Sequence, residues 1–152
     1  MNVNALKMSI ASAAVLLTAS FAHAGADDII KARQACMKMG NGGLMGVAVP
    51  IMKGEKPYDA AALAAAFAND DKLCADWANF WTEESFKGAT VKTHAKPEIL
   101  TDKAGFEKAG NDAYAAMQAL KATTDEASFK AAFPAVGNGC QGCHEKFRSS
   151  ME

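Results

Sequence analysis

Apolar residues recur every three to four positions along most of the chain after residue 25, which is the period of a helix with one buried face. The pattern predicts four helices, A to D, over residues 28–52, 59–81, 102–123 and 125–148. No useful stretch alternates between apolar and polar residues as a half-buried strand does. The hydrophobic pattern therefore predicts an all-α fold.

Between helices B and C the periodicity lapses over residues 83–101, which include Gly88 and Pro97. A connection of this length is typical of a crossover rather than of a tight hairpin. Four amphipathic helices with one long connection predict an antiparallel four-helix bundle. The candidate core residues are Ile30, Met37, Leu44, Val47 and Ile51 in helix A, Leu63, Phe67, Leu73 and Trp77 in helix B, Phe106, Met117 and Leu120 in helix C, and Phe129, Phe133, Val136 and Phe147 in helix D.

Helix A contains residues that weaken a helix. It holds four glycines between residues 40 and 46, each costing up to about 1 kcal/mol relative to alanine. Pro50 removes a backbone donor and clashes with the carbonyl four residues earlier, so we expect a kink or an early end there. In helix D, Pro134 and Gly137 predict an interruption.

Composition limits the class of protein. The chain has 152 residues, 50% of them hydrophobic, and a net charge of −1. These values exclude a disordered or collagen-like chain and give no basic footprint for nucleic acid. The length fits a single domain, and an alanine-rich composition favours helix over sheet.

The first 24 residues have the features of a secretory signal peptide. Lys7 supplies the basic start, an apolar run covers residues 8–22, and Ala22-His23-Ala24 forms the cleavage site. The run is shorter than the roughly 18 residues of a membrane span, so cleavage is favoured over an uncleaved anchor. We expect a mature domain of residues 25–152 that has no membrane span and is exported to the periplasm, an oxidising compartment where disulfides persist.

The strongest chemical signal is the pentapeptide Cys140-Gln141-Gly142-Cys143-His144 near the end of the chain. A C-x-x-C-H sequence is the attachment signal of a c-type haem: each thiol bonds a vinyl group, and the histidine becomes the proximal iron ligand. At helical spacing Cys140, Cys143 and His144 share a stripe with Phe147, so both sulfurs and the imidazole face one side. The motif predicts one covalently attached haem c.

Three other uses of the motif agree less well with the sequence. A catalytic dithiol is expected at the start of a helix that follows a strand, and no strand is predicted. A zinc site needs a fourth ligand at matching spacing, whereas the only other histidine after the signal peptide is His94, which we interpret as a solvent-facing loop residue. A structural disulfide between Cys140 and Cys143 leaves His144 without a role.

These features resemble the cytochrome c′ family, and within it the low-spin cytochrome c-556 type. The resemblance rests on the signal peptide, four alanine-rich helices and a C-terminal haem motif followed by Glu-Lys-Phe-Arg. It covers essentially the whole mature chain and implies a four-helix bundle with attached haem. Shorter matching stretches are Arg33-Gln34 and residues 53–59, 85–88, 96–99 and 136–137.

The resemblance also implies which residues surround the haem. Three positions after the Arg-Gln pair, cytochromes c′ carry an apolar residue that blocks the distal face, whereas the low-spin relatives carry a methionine that ligates iron. Here that residue is Met37, and the alternative is ordinary core filling. Arg33 and Gln34 are expected near the haem propionates. Arg148 is expected in the proximal environment of His144, or else as a solvated residue that favours the helix dipole.

Ligation by His144 and Met37 predicts a one-electron carrier, because two protein ligands saturate the iron and little rearranges on electron transfer. Without Met37 on the iron, the alternative is a five-coordinate high-spin protein that binds nitric oxide or carbon monoxide. Neither is an enzyme, and no catalytic motif is visible in the sequence. We expect redox proteins as partners, and the resemblance implies a homodimer through helices A and B.

Cys36 and Cys74 form a second pair of cysteines. They lie equally far before and after Glu55, the centre of the predicted turn between helices A and B, so an antiparallel hairpin brings them side by side. Small neighbours such as Ala35 and Ala75 permit the close approach of a disulfide. We hypothesise a Cys36–Cys74 bridge that braces helix A, and the alternative is two buried free thiols.

Overall fold

The computed structural model describes residues 25–38 and 43–150 of the chain, and the predicted signal peptide lies outside them. The described residues form helices and no extended strand. They contain α1 (Ala26–Met37), α2 (Leu44–Met52), α3 (Ala60–Leu73), the short 3₁₀ helices Trp77–Trp81 and Glu83–Phe86, α4 (Glu98–Thr101), α5 (Lys103–Lys121) and α6 (Glu126–Phe147). None of the helices described is both long and apolar enough to cross a bilayer.

Predicted helix A is two helices, and the break does not fall at Pro50. α1 ends at Met37 and α2 begins at Leu44, while Pro50 lies inside α2, which continues to Met52. Three buried positions of α2, among them Ile51, pack on the rest of the fold, and this burial outweighs the proline penalty. Two of the four glycines fall in residues 39–42, which lie outside the described part.

Predicted helices B, C and D correspond to α3, α5 and α6, and the structure differs from the prediction in two respects. α3 ends at Leu73 instead of continuing, and the rest of predicted helix B forms the first 3₁₀ helix. α6 runs without interruption through Pro134 and Gly137, contrary to expectation, because it packs along its length against α5. The helices begin at aspartate caps: the side chains of Asp59, Asp102 and Asp125 accept hydrogen bonds from the third backbone amide of α3, α5 and α6.

The buried apolar residues form two clusters. The first core cluster contains Leu44, Ala48, Ile51, Leu63, Phe67, Leu120, Phe129 and Val136. The second core cluster contains Ile99, Phe106 and Phe147, with Trp77 and Trp81 packed against it. Most of the predicted core residues are confirmed. Met37 and Leu73 are wrong, since each is 39% exposed.

The start of α2 is tied to the end of α3. Asp70 is almost fully buried, and its Oδ2 accepts a hydrogen bond of 2.9 Å from the backbone N–H of Leu44. Burial raises the pKa of Asp70, and the Leu44 hydrogen bond partly offsets that effect. The side chain acts as an N-terminal cap supplied from another helix.

α5 and α6 form the most extensive helix pair of the bundle. A short connection joins them, so they run antiparallel. A Cβ on Gly139 of α6 would lie 2.9 Å from the Cα of Ala113 in α5. Only glycine fits at this position. Because Gly139 directly precedes Cys140, its contact with Ala113 fixes where the haem motif lies along α5.

We expect Gly139→Ala to lower the free energy of unfolding by about 1–3 kcal/mol, because the added methyl meets backbone that no rotamer change can move. The matched control is Gly142→Ala, three residues later in the same helix, where a Cβ meets nothing within 4 Å. The control should leave stability unchanged or raise it by up to about 1 kcal/mol. Denaturant unfolding of both variants measures the difference, and equal stabilities would contradict the close-packing account.

Candidate haem site

The last two turns of α6 present the residues of the haem motif on one face. Cys140, Cys143 and His144 are half-buried, and Phe147 is buried. Cys140 packs against the first core cluster, whereas Cys143 packs against the second. The motif therefore lies where the two clusters meet. Neither cysteine is in a disulfide, which disfavours a structural Cys140–Cys143 bridge.

The protonation states of the motif suit haem attachment better than dithiol catalysis. Burial raises the pKa of the Cys140 and Cys143 thiols, so they remain protonated at neutral pH. A catalytic dithiol requires the opposite shift, towards the thiolate. Burial, and secondarily the charge of Arg148, lowers the pKa of His144, which favours the neutral imidazole that ligates metals. Among the residues described, no three His, Cys, Asp or Glu side chains are grouped to hold a zinc ion.

The outer side of the motif borders an open cleft of about 490 Å³. Arg148 lines this cleft next to His144, and its backbone forms a bridge with Ala95. The neighbouring backbone of Ser149 donates to the carbonyl of His94 over 2.8 Å. His94 is half-buried in the loop, and its ring Nδ1 lies 3.4 Å from Ser149 Oγ at an exposed position, so the interpretation as a loop residue that faces solvent stays a prediction.

Arg33 of α1 is buried, with an exposed fraction of 3%. Its guanidinium donates to the Phe80 carbonyl, to Ser85 Oγ and to Thr93 Oγ1, over 3.1, 3.3 and 2.7 Å. It also lies over the Trp81 ring, 5.0 Å from the ring centroid. No carboxylate pairs with Arg33 among the side chains described, so this buried cation lacks an anion.

Trp81, whose ring lies against Arg33, supplies a second buried hydrogen-bond donor. Its indole Nε1 has no hydrogen-bond partner within the described ranges. Trp81 packs against the second core cluster, which Cys143 also contacts. A buried cation and an unpaired N–H next to the haem motif are what a propionate carboxylate would satisfy, so the residues present fit a haem. Gln34 is partly engaged by the protein, because its Nε2 donates to the Lys92 carbonyl over 2.8 Å.

Met37 ends α1 one turn after Arg33. Its side chain is 39% exposed, whereas Ile30, Arg33 and Cys36 form the buried face of the same helix. Ordinary core filling therefore does not account for Met37. The thioether is available to a group outside the protein core.

Cys36 and Cys74 form a disulfide with their Cα atoms 5.0 Å apart. The bridge joins the last turn of α1 to the residue that follows α3. The equal spacing of the two cysteines around Glu55 predicts this bridge. Because Cys36 directly precedes Met37, the bridge lies beside the candidate ligand.

The sequence does not predict the roles of three residues at this site, Thr93, Ser85 and Gly139. Thr93 and Ser85 bind Arg33 across sequence distances of 60 and 52 residues, and Gly139 sets the contact with α5. Thr93 carries no local signal, and Ser85, although it begins the matching stretch 85–88, is a single loop hydroxyl that does not by itself indicate a bond to Arg33. Gly139 stands out in a helical pattern, since an interior glycine without a turn indicates close packing.

A helical bundle whose last helix carries C-x-x-C-H in a half-buried seam defines a c-type cytochrome. A sequence model described as "Cytochrome C'" matches residues 28–148. The chain belongs to the cytochrome c′ family. Cytochrome c′ and cytochrome c-556 proteins carry covalently bound haem c, which is the cofactor of this chain.

Individual relatives agree with this assignment. The chain is 34% identical to cytochrome c-556 of Rhodopseudomonas palustris over 146 residues, covering 94% of this chain and 97% of that protein. The crystal structure of cytochrome c′ from Rubrivivax gelatinosus superposes with a TM-score of 0.71 at 31% identity, covering 82% and 98% of the two chains. A nitric oxide complex of a cytochrome c prime variant from Alcaligenes xylosoxidans gives 0.70 at 29% identity, covering 84% and 99%.

Thiol counting tests the arrangement of the four cysteines. We expect the denatured, unreduced holoprotein to contain no titratable thiol, because two cysteines form the bridge and two are bonded to haem. After reduction two thiols should appear, and Cys36→Ala with Cys74→Ala should abolish both. Two thiols before reduction would rule out the bridge.

Proposed function

We propose that this chain is a one-electron carrier in which Cys140 and Cys143 attach the haem, His144 is the proximal ligand and Met37 is the distal ligand. The observation that carries the proposal is the position of Met37. Met37 is 39% exposed at the end of a helix whose buried residues are Ile30, Arg33 and Cys36. The match to a cytochrome c-556 along 94% of the chain supports the same ligand set.

The residues around the site act by fixing and shielding the cofactor. When bound, the haem supplies an iron that gains and loses one electron. Cys140 and Cys143 hold it to a helix that Gly139 seats against α5, so the site changes little between the two oxidation states. His144 would offer a neutral imidazole nitrogen to the iron, and Met37 as a second ligand would raise the reduction potential. Arg148 keeps a positive charge beside His144, which favours the neutral ring.

Arg33 and Trp81 are the proposed partners of a propionate. The guanidinium keeps part of its donor capacity after its three bonds to the protein, since it carries five N–H groups. The indole N–H has no other partner in the residues described. Gln34 remains a weaker candidate, because one of its two amide hydrogens is already used by Lys92.

A second candidate function is binding of nitric oxide or carbon monoxide at five-coordinate iron. One specific observation favours it: a structure of similar fold, at a TM-score of 0.70, is a nitric oxide complex. The two candidates differ only in whether Met37 occupies the distal position. We infer export to the periplasm from residues 1–24 under either candidate, with redox proteins as partners of the carrier and a second copy of the chain as a further partner.

Replacement of Met37 distinguishes the two functions. We expect the ferrous holoprotein to show a sharp low-spin α band that carbon monoxide leaves unchanged. In Met37→Ala the band should be lost, and carbon monoxide affinity should rise by about tenfold or more, because the apparent affinity scales with the fraction of open sites. Optical titration with carbon monoxide measures both effects.

Two further variants serve as controls. Met37→His should restore a six-coordinate spectrum at a lower reduction potential, because imidazole replaces the thioether. Met52→Leu should change nothing, since Met52 packs against the first core cluster. A wild-type protein that binds carbon monoxide as readily as Met37→Ala would favour gas binding and overturn electron transfer by this ligand set.

A further inference from the structure

The C-terminal end of α1 is attached to the fold differently from the rest of that helix. At the start of α1, Asp27 accepts hydrogen bonds from Thr90 and Val91. In the middle, Arg33 donates to Phe80 of the first 3₁₀ helix and to Ser85 and Thr93 of the long connection. Beyond Gln34, the disulfide is the only bond from α1 to another element within the described part of the chain. The position of Met37 therefore depends on the Cys36–Cys74 bridge.

The end of α3 holds the chain on both sides of the segment that follows Met37. Cys74 holds the end of α1 through the bridge, and Asp70, one turn earlier, holds the first amide of α2. Breaking the disulfide frees one of these two attachments and leaves the other intact. Helix ends fray readily once their tertiary contacts are lost. The bridge thus restrains the final turn of α1 without being required for α2 or α3.

The two sulfurs differ in access. Cys36 is 1% exposed, whereas Cys74 lies at the end of α3 and is half-buried. An external thiolate therefore reaches Cys74 first, since exchange depends on access to the attacked sulfur. Buried Cys36 is then the leaving thiol, and its departure releases the residue directly before Met37.

We propose that the Cys36–Cys74 bridge is a thiol-controlled positioning element for the distal ligand, and that its reduction by a protein dithiol converts the electron carrier into a form that binds carbon monoxide and nitric oxide. This inference rests on the proposed function of Met37. It makes the two candidate functions alternative states of one protein.

The covalent step is ordinary thiol–disulfide exchange. A thiolate of the dithiol bonds to Sγ of Cys74, the sulfur–sulfur bond breaks, and Cys36 leaves as a thiolate that takes up a proton. The second thiol of the reductant attacks the mixed disulfide, forms the reductant's own disulfide and releases Cys74 as a thiol. Two electrons and two protons pass from the dithiol to the bridge.

The test compares bridged and reduced holoprotein, with the iron kept ferrous by ascorbate, which leaves disulfides intact. Dithiothreitol serves as the dithiol and is removed by anaerobic desalting before carbon monoxide titration. We expect reduction to raise carbon monoxide affinity by about tenfold or more and to diminish the low-spin band, because the open fraction of sites increases. Reoxidation of the bridge should reverse both changes, and thiol labelling should rise from none to two.

The double variant Cys36→Ala with Cys74→Ala separates loss of the bridge from side reactions of free thiols. It should bind carbon monoxide like the reduced protein and not respond to dithiothreitol, while far-ultraviolet circular dichroism verifies that it remains helical. If reduced protein and double variant both keep the low-spin band and exclude carbon monoxide, the bridge does not position the ligand, although Met37 ligation stands. If the bridged protein already binds carbon monoxide and Met37→Ala changes nothing, both the proposed function and this inference are overturned.

Discussion

The apolar core of this protein is divided into two clusters, and the haem motif lies where they meet. Cys140 contacts the cluster built around Phe129 and Leu120, while Cys143 contacts the cluster built around Phe106 and Phe147. A cofactor bonded to both sulfurs therefore connects the two clusters and supplies apolar contact that the chain itself does not. The two cysteines lie three residues apart on one face of α6, which lets each contact a different cluster. The contact of Gly139 with Ala113 seats this part of α6 against α5.

Hydrogen bonds and a disulfide attach the helix on the distal side to the rest of the fold. Arg33 is a buried cation whose hydrogen bonds reach the connection between α3 and α4, and that connection in turn pairs with the chain just beyond His144. The helix that carries Met37 is thereby linked through this connection to the helix that carries the proximal ligand. Removing a buried charge from water costs several kcal/mol unless the charge is paired, which is why an anion beside Arg33 fits the site.

Much of the fold follows from the sequence, because four amphipathic stripes and one long connection leave few alternatives to a bundle. The motif at residues 140–144 is equally explicit, since its chemistry depends on five adjacent residues. The break between α1 and α2 was misplaced at Pro50, because the burial of Ile51 and its neighbours outweighs a local propensity. Pro134 was misread in the same way, since packing against α5 carries α6 through it.

Other parts of the site depend on tertiary contacts that leave no trace in local sequence. Thr93 and Ser85 are single hydroxyls in a loop, and their role exists only because α1 delivers a buried guanidinium to them. Met37, in contrast, stands out in the sequence, but the local pattern alone leaves its role open. The family resemblance favours an iron ligand over core filling at this position, and the exposure of Met37 at the end of α1 argues against core filling.

The central claim is that one imidazole and one thioether of this chain complete the coordination of the haem iron. X-ray absorption at the iron edge of the ferrous holoprotein measures this most directly, because it reports the atoms bonded to the metal without relying on a variant. We predict one sulfur neighbour in addition to the porphyrin nitrogens and one imidazole. A first coordination shell that contains nitrogen alone would contradict the account.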